Sequence, residues 1–376
     1  MTHCPHPWTG LEIATDGTIS PCCKFRADLF PNWPNFNVKD GIDHYRNSDA
    51  LSELQQEFIK GNQPAACVRC WKDEAANLPS KRQLDTERWS TQLDQSKIQF
   101  ITLPMGNLCN LQCRICSPHQ SSSLIKEWQA IYGEKISRQE WHKDPVIWNE
   151  IIEIAKGSLE IHIHGGEPFL LEQREHVVLL ENLVASDAAS NIRLHYSTNG
   201  TTWPSEDLWT AWKNFHWVDI QVSVDDCGER FEYNRYPSKW EKVKDNLLAF
   251  KATVSANNNL QLSISTTVSA YTIAYLDEFF DEISKLGLPE PWLGRLHTPQ
   301  HYRIGSLPHD ARQAIKEKLA GSANQTLQNA SAWLDDDDGD WAEFVRLTKQ
   351  HDQYRHADFA EIFPKLADLV SYEKKS

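Results

Sequence analysis

Short apolar stretches recur along the middle of the chain, at 98–103 (Ile-Gln-Phe-Ile-Thr-Leu), 159–163, 192–196, 218–224 and 260–265, with a last candidate at 292–296. Runs of this length, rich in Ile, Val, Leu and Phe, are the pattern of strands. Between them, at 147–155, 177–184, 240–250 and 275–286, apolar residues return every three or four positions. That spacing gathers them on one face of a helix, and strand–helix alternation implies a parallel sheet. Six such units predict an α/β fold, a partial (β/α)6 TIM-like barrel, with its chemistry at the C-terminal ends of the strands.

The ends of the chain read differently. Residues 1–95 hold most of the cysteine and turn-rich segments such as Thr15-Asp16-Gly17-Thr18, with one amphipathic helix at 51–59. A segment so poor in regular structure needs a staple, and bound metal supplies one. After the barrel region, 96–299, residues 300–376 read as a helical extension with helices at 310–320, 341–350 and 359–370. The run Asp335-Asp336-Asp337-Asp338-Gly339-Asp340 lacks the ligand spacing of an EF-hand and reads as a solvated loop.

Apolar residues make up 40 % of the 376, enough for a sizeable core, so disorder is excluded as the main state. The formal charge of −14 gives no positive field to gather a polynucleotide or an anionic membrane. No apolar run approaches the ~18 residues of a membrane helix, and the N-terminus has no basic segment followed by an apolar one, so a cytoplasmic protein is expected. Fifteen tryptophans are read as rigid core filler.

Eight of the nine cysteines are clustered, which in a reducing compartment points to metal rather than disulfides. Cys109, Cys113 and Cys116 form a CxxxCxxC loop directly after the first barrel strand. Three thiolates there can hold three irons of a 4Fe–4S cube and leave the fourth iron open. Structural zinc wants four closed ligands, and His119 is the one nearby candidate for a fourth. The second barrel strand ends in Gly165-Gly166-Glu167-Pro168, where two glycines let a ligand approach the backbone and a carboxylate can accept from an ammonium group.

The CxxxCxxC loop followed one βα unit later by GGEP resembles the radical S-adenosylmethionine (SAM) superfamily. The resemblance implies that SAM chelates the open iron, that Gly165, Gly166, Glu167 and Pro168 hold its amino group, and that Ile115 lies against adenine. Asn199, in Ser197-Thr198-Asn199-Gly200, matches the third strand tip; Ser223 and Asp225 match the fourth, with Arg235 downstream. By the same resemblance Ser223 contacts the ribose or methionine part of SAM and Arg235 its carboxylate; the plainer readings are a turn at Asn199 and an Arg235–Glu232 ion pair. Cys227 is a candidate hydrogen donor to a substrate radical, or simply a small side chain in a βα loop.

Cys4, Gly17, Cys22, Cys67 and Cys70 form a Cx12Gx4C…CxxC pattern. It resembles the SPASM and twitch auxiliary-cluster domains of radical SAM enzymes, placed here before the barrel instead of after it. Cys4, Cys22, Cys67 and Cys70 suit a second 4Fe–4S cluster or a Cys4 zinc site, with Cys22 preferred over Cys23 because the Gly-x4-Cys spacing ends there. The stretches 295–308 and 352–364 look like a twitch-type subgroup found in bacteria and their phages. The resemblance implies two 4Fe–4S clusters and SAM as cofactors, and a flavodoxin or ferredoxin as reductant. It implies reductive cleavage of SAM to a 5′-deoxyadenosyl radical, with hydrogen abstraction from a peptide or protein. A nucleotide or sugar-derived small molecule is the alternative substrate, and a non-catalytic iron–sulfur electron carrier the alternative class.

Overall fold

The protein is described by a computed structural model covering residues 3–75, 79–172 and 174–372. Eight strands form one sheet: β1 (Gly10–Ile13), β2 (Ile19–Ser20), β3 (Phe100–Pro104), β4 (Glu160–His164), β5 (Arg193–Thr198), β6 (Trp217–Ser223), β7 (Leu260–Val268) and β8 (Trp292–Arg295), in the order β2-β1-β3-β4-β5-β6-β7-β8. From β3 to β8 the spatial order follows the chain, with helices between, which is the partial barrel the alternating pattern predicts. The two strands β1 and β2 were not foreseen. β1 lies parallel to β3, pairing Leu11 with Ile101, and β2 runs antiparallel to β1. No helix among the described residues is long and apolar enough to cross a membrane.

The chain divides into two compact units, the first made of 1–107, 138–196 and 204–218, the second of 108–137, 197–203 and 219–376. In the first, alternate strand residues point to one side and vanish from solvent: Leu11, Ile13, Ile101, Leu103, Ile161, Ile163 and Leu194 are all 2 % exposed or less. Full burial of each such side chain contributes roughly 1.5–3 kcal/mol, so this layer fixes the strand register. The helix Pro145–Ala155 covers its share with Ile147, Trp148, Ile151, Ile152 and Ala155; the Asp144 side chain caps it and Pro145 occupies its first turn.

In the second unit the helix Trp341–Arg355 starts at Asp340, whose carboxylate accepts from the Glu343 amide, and stops at His356 in a left-handed conformation. It buries Phe344, Leu347, Thr348, His351 and Asp352. The expected helix at 359–370 is broken into Phe359–Ile362 and Pro364–Leu369, because Pro364 offers no amide to continue the first. The acidic run is more than solvated: Asp335, Asp336 and Asp338 pair with Lys316, Arg295 and Arg303 at 2.5, 2.7 and 2.7 Å. Trp212 is wholly buried, in keeping with tryptophan as core filler, while Trp292 is 66 % exposed.

Candidate active site

The three-cysteine loop belongs to the second unit and is pinned along its length. The amides of Gln112 and Arg114, on either side of Cys113, donate to the carbonyls of Tyr236 and Asn234 at 2.6 and 2.8 Å. Ser121 and Ser123 hydroxyls close on the carbonyls of Leu111 and Cys109 at 2.5 and 2.6 Å. Amide donors also reach sulfur, the Leu111 amide at 3.4 Å and Asn199 Nδ2 at 3.8 Å from Cys109 Sγ. Burial raises the Cys113 thiol, against which Arg235 and Arg355 pull down and Asp225 pushes up. Burial raises Cys116 as well, reinforced by Cys113 and Cys109. Three half-buried thiols that repel one another as thiolates fit a polycationic metal cluster, which relieves that repulsion when it binds.

The tips of β5 and β6 frame the loop within the same unit. Asn199 Nδ2 also bonds Asn110 Oδ1 at 2.9 Å, and Asn110 bonds the Thr201 hydroxyl at 2.8 Å. Arg235 is paired with Asp225 and not with Glu232, which takes Lys239 instead. Its Nε and Nη2 lie 2.9 and 2.8 Å from Asp225 Oδ2, and Oδ1 accepts the Thr267 amide at 2.8 Å. Both side chains are nearly sealed from solvent, yet Arg235 Nη1 makes no hydrogen bond among the described residues, so one face of the guanidinium is left for an anion. Ser223 ends β6 and Ile115 is half-buried in the loop. Cys227 precedes the helix Gly228–Asn234; burial pushes its thiol up to about 12, and its charged surroundings are Asp226, Arg230 and Glu282 rather than the loop.

GGEP lies in the first unit, at the end of β4. Gly165 has φ +81°, and a Cβ there would stand 2.6 Å from that of Pro104 on β3, so only glycine lets the two strand tips meet. Glu167 is wholly buried and accepts the Phe169 amide at 3.1 Å; Pro168 follows it.

The remaining cysteines are also in the first unit. Burial dominates at each, and the thiols sense one another: Cys4 is pushed up further by Cys67 and Cys70, Cys22 by Cys23 and Cys4, and Cys67, at about 12, by Cys22 and Cys70. Arg82, stacked on Trp71 at 4.9 Å and bonded to Glu74, lowers Cys4 and Cys67. Cys23 is exposed and faces Glu12, Lys81, Lys24 and Asp85. Among the described residues no three His, Cys, Asp or Glu side chains are grouped as one metal ion needs.

Sequence reasoning passed over two sets of residues. In the first unit Glu12, Thr102, His162 and His195 form one register row across four adjacent strands. Burial lifts Glu12 to about 7, and His162 lies 4.5 Å from His195 and 4.9 Å from His164 between ring centroids. Alternation in Glu160-Ile161-His162-Ile163-His164 was the available signal, since residues i and i+2 share a face. In the second unit Arg114, Glu127, Asp352 and Arg355 form buried ion pairs behind the loop.

The family model of the radical SAM superfamily matches residues 103–260, and that of the SPASM iron–sulfur cluster-binding domain matches residues 4–71. No curated protein matches the sequence. Among solved structures, native anSMEcpe with bound AdoMet is 16 % identical at a TM-score of 0.44, the match covering 58 % of each chain. SuiB of Streptococcus suis bound to S-adenosylmethionine is 14 % identical at 0.39, over 72 % of this chain and 58 % of that one. TYW1 with a lysine-pyruvate adduct is 14 % identical at 0.37, over 59 % and 73 %. The chain thus spans less than two thirds of the length of the first two. It carries an N-terminal SPASM domain ahead of a radical SAM domain, and iron–sulfur clusters and SAM are the cofactors these domains take.

Proposed function

We propose that Cys109, Cys113 and Cys116 hold the SAM-binding cluster, that Cys4, Cys22, Cys67 and Cys70 hold a closed auxiliary 4Fe–4S cluster, and that the enzyme abstracts hydrogen from a peptide or protein. The observation that carries the reading is the pinned three-cysteine loop, whose thiols meet buried cations and amide donors. The cluster and SAM supply a 5′-deoxyadenosyl radical when bound. The chain's own work is to place SAM and keep water out. Arg235 offers its unpaired Nη1 to the SAM carboxylate while Asp225 fixes the guanidinium plane. Glu167, at the tip of β4, accepts from the SAM ammonium, and Gly165 and Gly166 let the backbone come close. Asn199 steadies Cys109, and Ser223 and Ile115 border the nucleoside.

At the auxiliary site Cys4 feels Cys67 and Cys70, Cys22 feels Cys4, and Cys67 feels Cys22 and Cys70. Beside a radical SAM domain, a SPASM match favours an iron–sulfur cluster over zinc at these four cysteines. Cys23 is exposed and, besides its neighbour Cys22, faces Glu12, Lys81, Lys24 and Asp85, whereas Cys22 also feels Cys4, which favours Cys22 as the ligand. The −14 charge counts against a polynucleotide substrate. Anaerobic turnover with panels of peptides and of small nucleotides and sugars tests this: the peptides should raise 5′-deoxyadenosine formation, and stimulation by the small molecules alone would overturn the substrate reading.

A further inference from the structure

The helix Trp341–Arg355 lies beyond both matched domains, yet its last turn reaches the cluster loop. Asp352 and Arg355, three residues apart, share one helix face. Asp352 Oδ1 accepts Nη2 of Arg114, the residue next to Cys113, and the Tyr233 hydroxyl at 2.7 Å; its Oδ2 accepts the Phe359 amide at 2.8 Å. The Arg114 guanidinium lies 3.8 Å over the Tyr233 ring. Arg355 gives Nε and Nη2 to Glu127 at 2.8 and 2.9 Å and sits 5.4 Å over the ring of Tyr236, whose carbonyl takes the Gln112 amide. The helix turn thereby bonds Arg114 directly and packs on Tyr236, which in turn holds Gln112.

Both arginines of this network bury donors that have no partner. Arg355 has a side chain 2 % exposed, and its Nη1 is buried with no hydrogen-bond partner. A buried guanidinium with an orphaned donor is costly, and apolar packing would stabilise the same space better. Arg355 stacks at 5.4 Å on the ring of Tyr236, whose carbonyl holds the amide of Gln112, the residue before Cys113. The charges packed around it are Arg114, paired with Asp352 through Nη2 while its own Nε and Nη1 are buried without partners, Arg235, paired with Asp225, and Glu127, which takes Arg355 and also His351 at 2.6 Å.

We propose that this last turn belongs to the radical site: Asp352 fixes the loop backbone through Arg114, and Arg355 keeps a fixed positive charge beside the cluster at Cys113. Both are positioning residues, and the proposal rests on the assignment of Cys109, Cys113 and Cys116 to the SAM cluster. A fixed cation beside a cluster favours its reduced, more negative state and raises its reduction potential.

The test uses the full chain reconstituted with iron and sulfide under anaerobic conditions and titrated by electron paramagnetic resonance. In the wild-type protein SAM should alter the signal of the reduced cluster; if it does not, the cluster assignment fails, not the latch. Arg355→Gln should keep that SAM-dependent signal while its midpoint potential becomes more negative, and Arg355→Lys should restore most of the shift. An unchanged potential in Arg355→Gln at full iron content, or an equal shift in Arg355→Lys, overturns the proposal. Should Arg355→Gln take up no iron, hydrogen exchange of the apo chain decides. There Asp352→Asn should speed exchange of the Gln112 and Arg114 amides at least tenfold and leave β7 unchanged, whereas equal rates, or a uniform rise, overturn it.

Discussion

Asp225→Asn isolates the electrostatic anchor of the site. The substitution keeps the shape and one oxygen for the Thr267 amide, but removes the counter-charge of Arg235, whose side chain is 9 % exposed against 2 % for Asp225. Leaving one member of a buried pair unmatched costs about 3–5 kcal/mol. With a urea slope of about 3 kcal/mol/M for a chain of this size, the midpoint of the apo protein should fall by about 1 M or somewhat more. Circular dichroism and tryptophan fluorescence would both follow the transition, and their agreement checks that one unfolding step is being read. Arg235→Met should cost a similar amount, and Asp225→Asn/Arg235→Met much less than the sum, with a coupling of about 2–3 kcal/mol. A midpoint drop under about 0.3 M, or additive single variants, would show that the pair does not hold the strand tip and refute the reasoning.

Three further outcomes follow from the first unit. Hydrogen bonds from His6 and Lys81, together with their charge, outweigh burial and hold Asp85 at about 2, below its ordinary 3.8. A depressed carboxylate contributes stability above its unfolded pKa and loses it as pH falls, so the apo protein should lose about 2 kcal/mol between pH 4 and 2, and Asp85→Asn should flatten that slope in acid titration of unfolding. Cys22→Ala should halve the iron content while Cys23→Ala keeps it, measured by iron and sulfide analysis; the reverse pattern would exchange the two ligands. Cys70→Ala should still cleave SAM without forming product, provided circular dichroism shows the barrel intact, since loss of a ligand also removes folding energy.

The barrel was legible because its strands are apolar runs and its helices have clean periodicity, and the expected stretch 218–224 emerges as β6 with Val218, Ile220 and Val222 wholly buried. β1 and β2 were not, because four and two residues beginning at a glycine carry too little pattern, and their strand character comes from pairing with β3 and with each other. Cysteine spacing marked out both proposed cluster sites, since metal ligation restricts ligand type and local reach. The pairing of Arg235 with Asp225 instead of Glu232 depends on which helix turn faces the strand tip, a matter of packing. Asp352 lies 238 residues from Arg114, and no local rule joins positions so far apart. The surroundings of Cys227, namely Asp226, Arg230 and Glu282, likewise depend on the packing of the helix it precedes.

The central claim is tested most directly by assaying 5′-deoxyadenosine from SAM with dithionite-reduced protein carrying about eight irons, as two cubes require. The account predicts steady formation by the wild-type chain and none by Cys113→Ala, whose iron falls by about half while the auxiliary cluster stays. Continued cleavage of SAM by Cys113→Ala would contradict it.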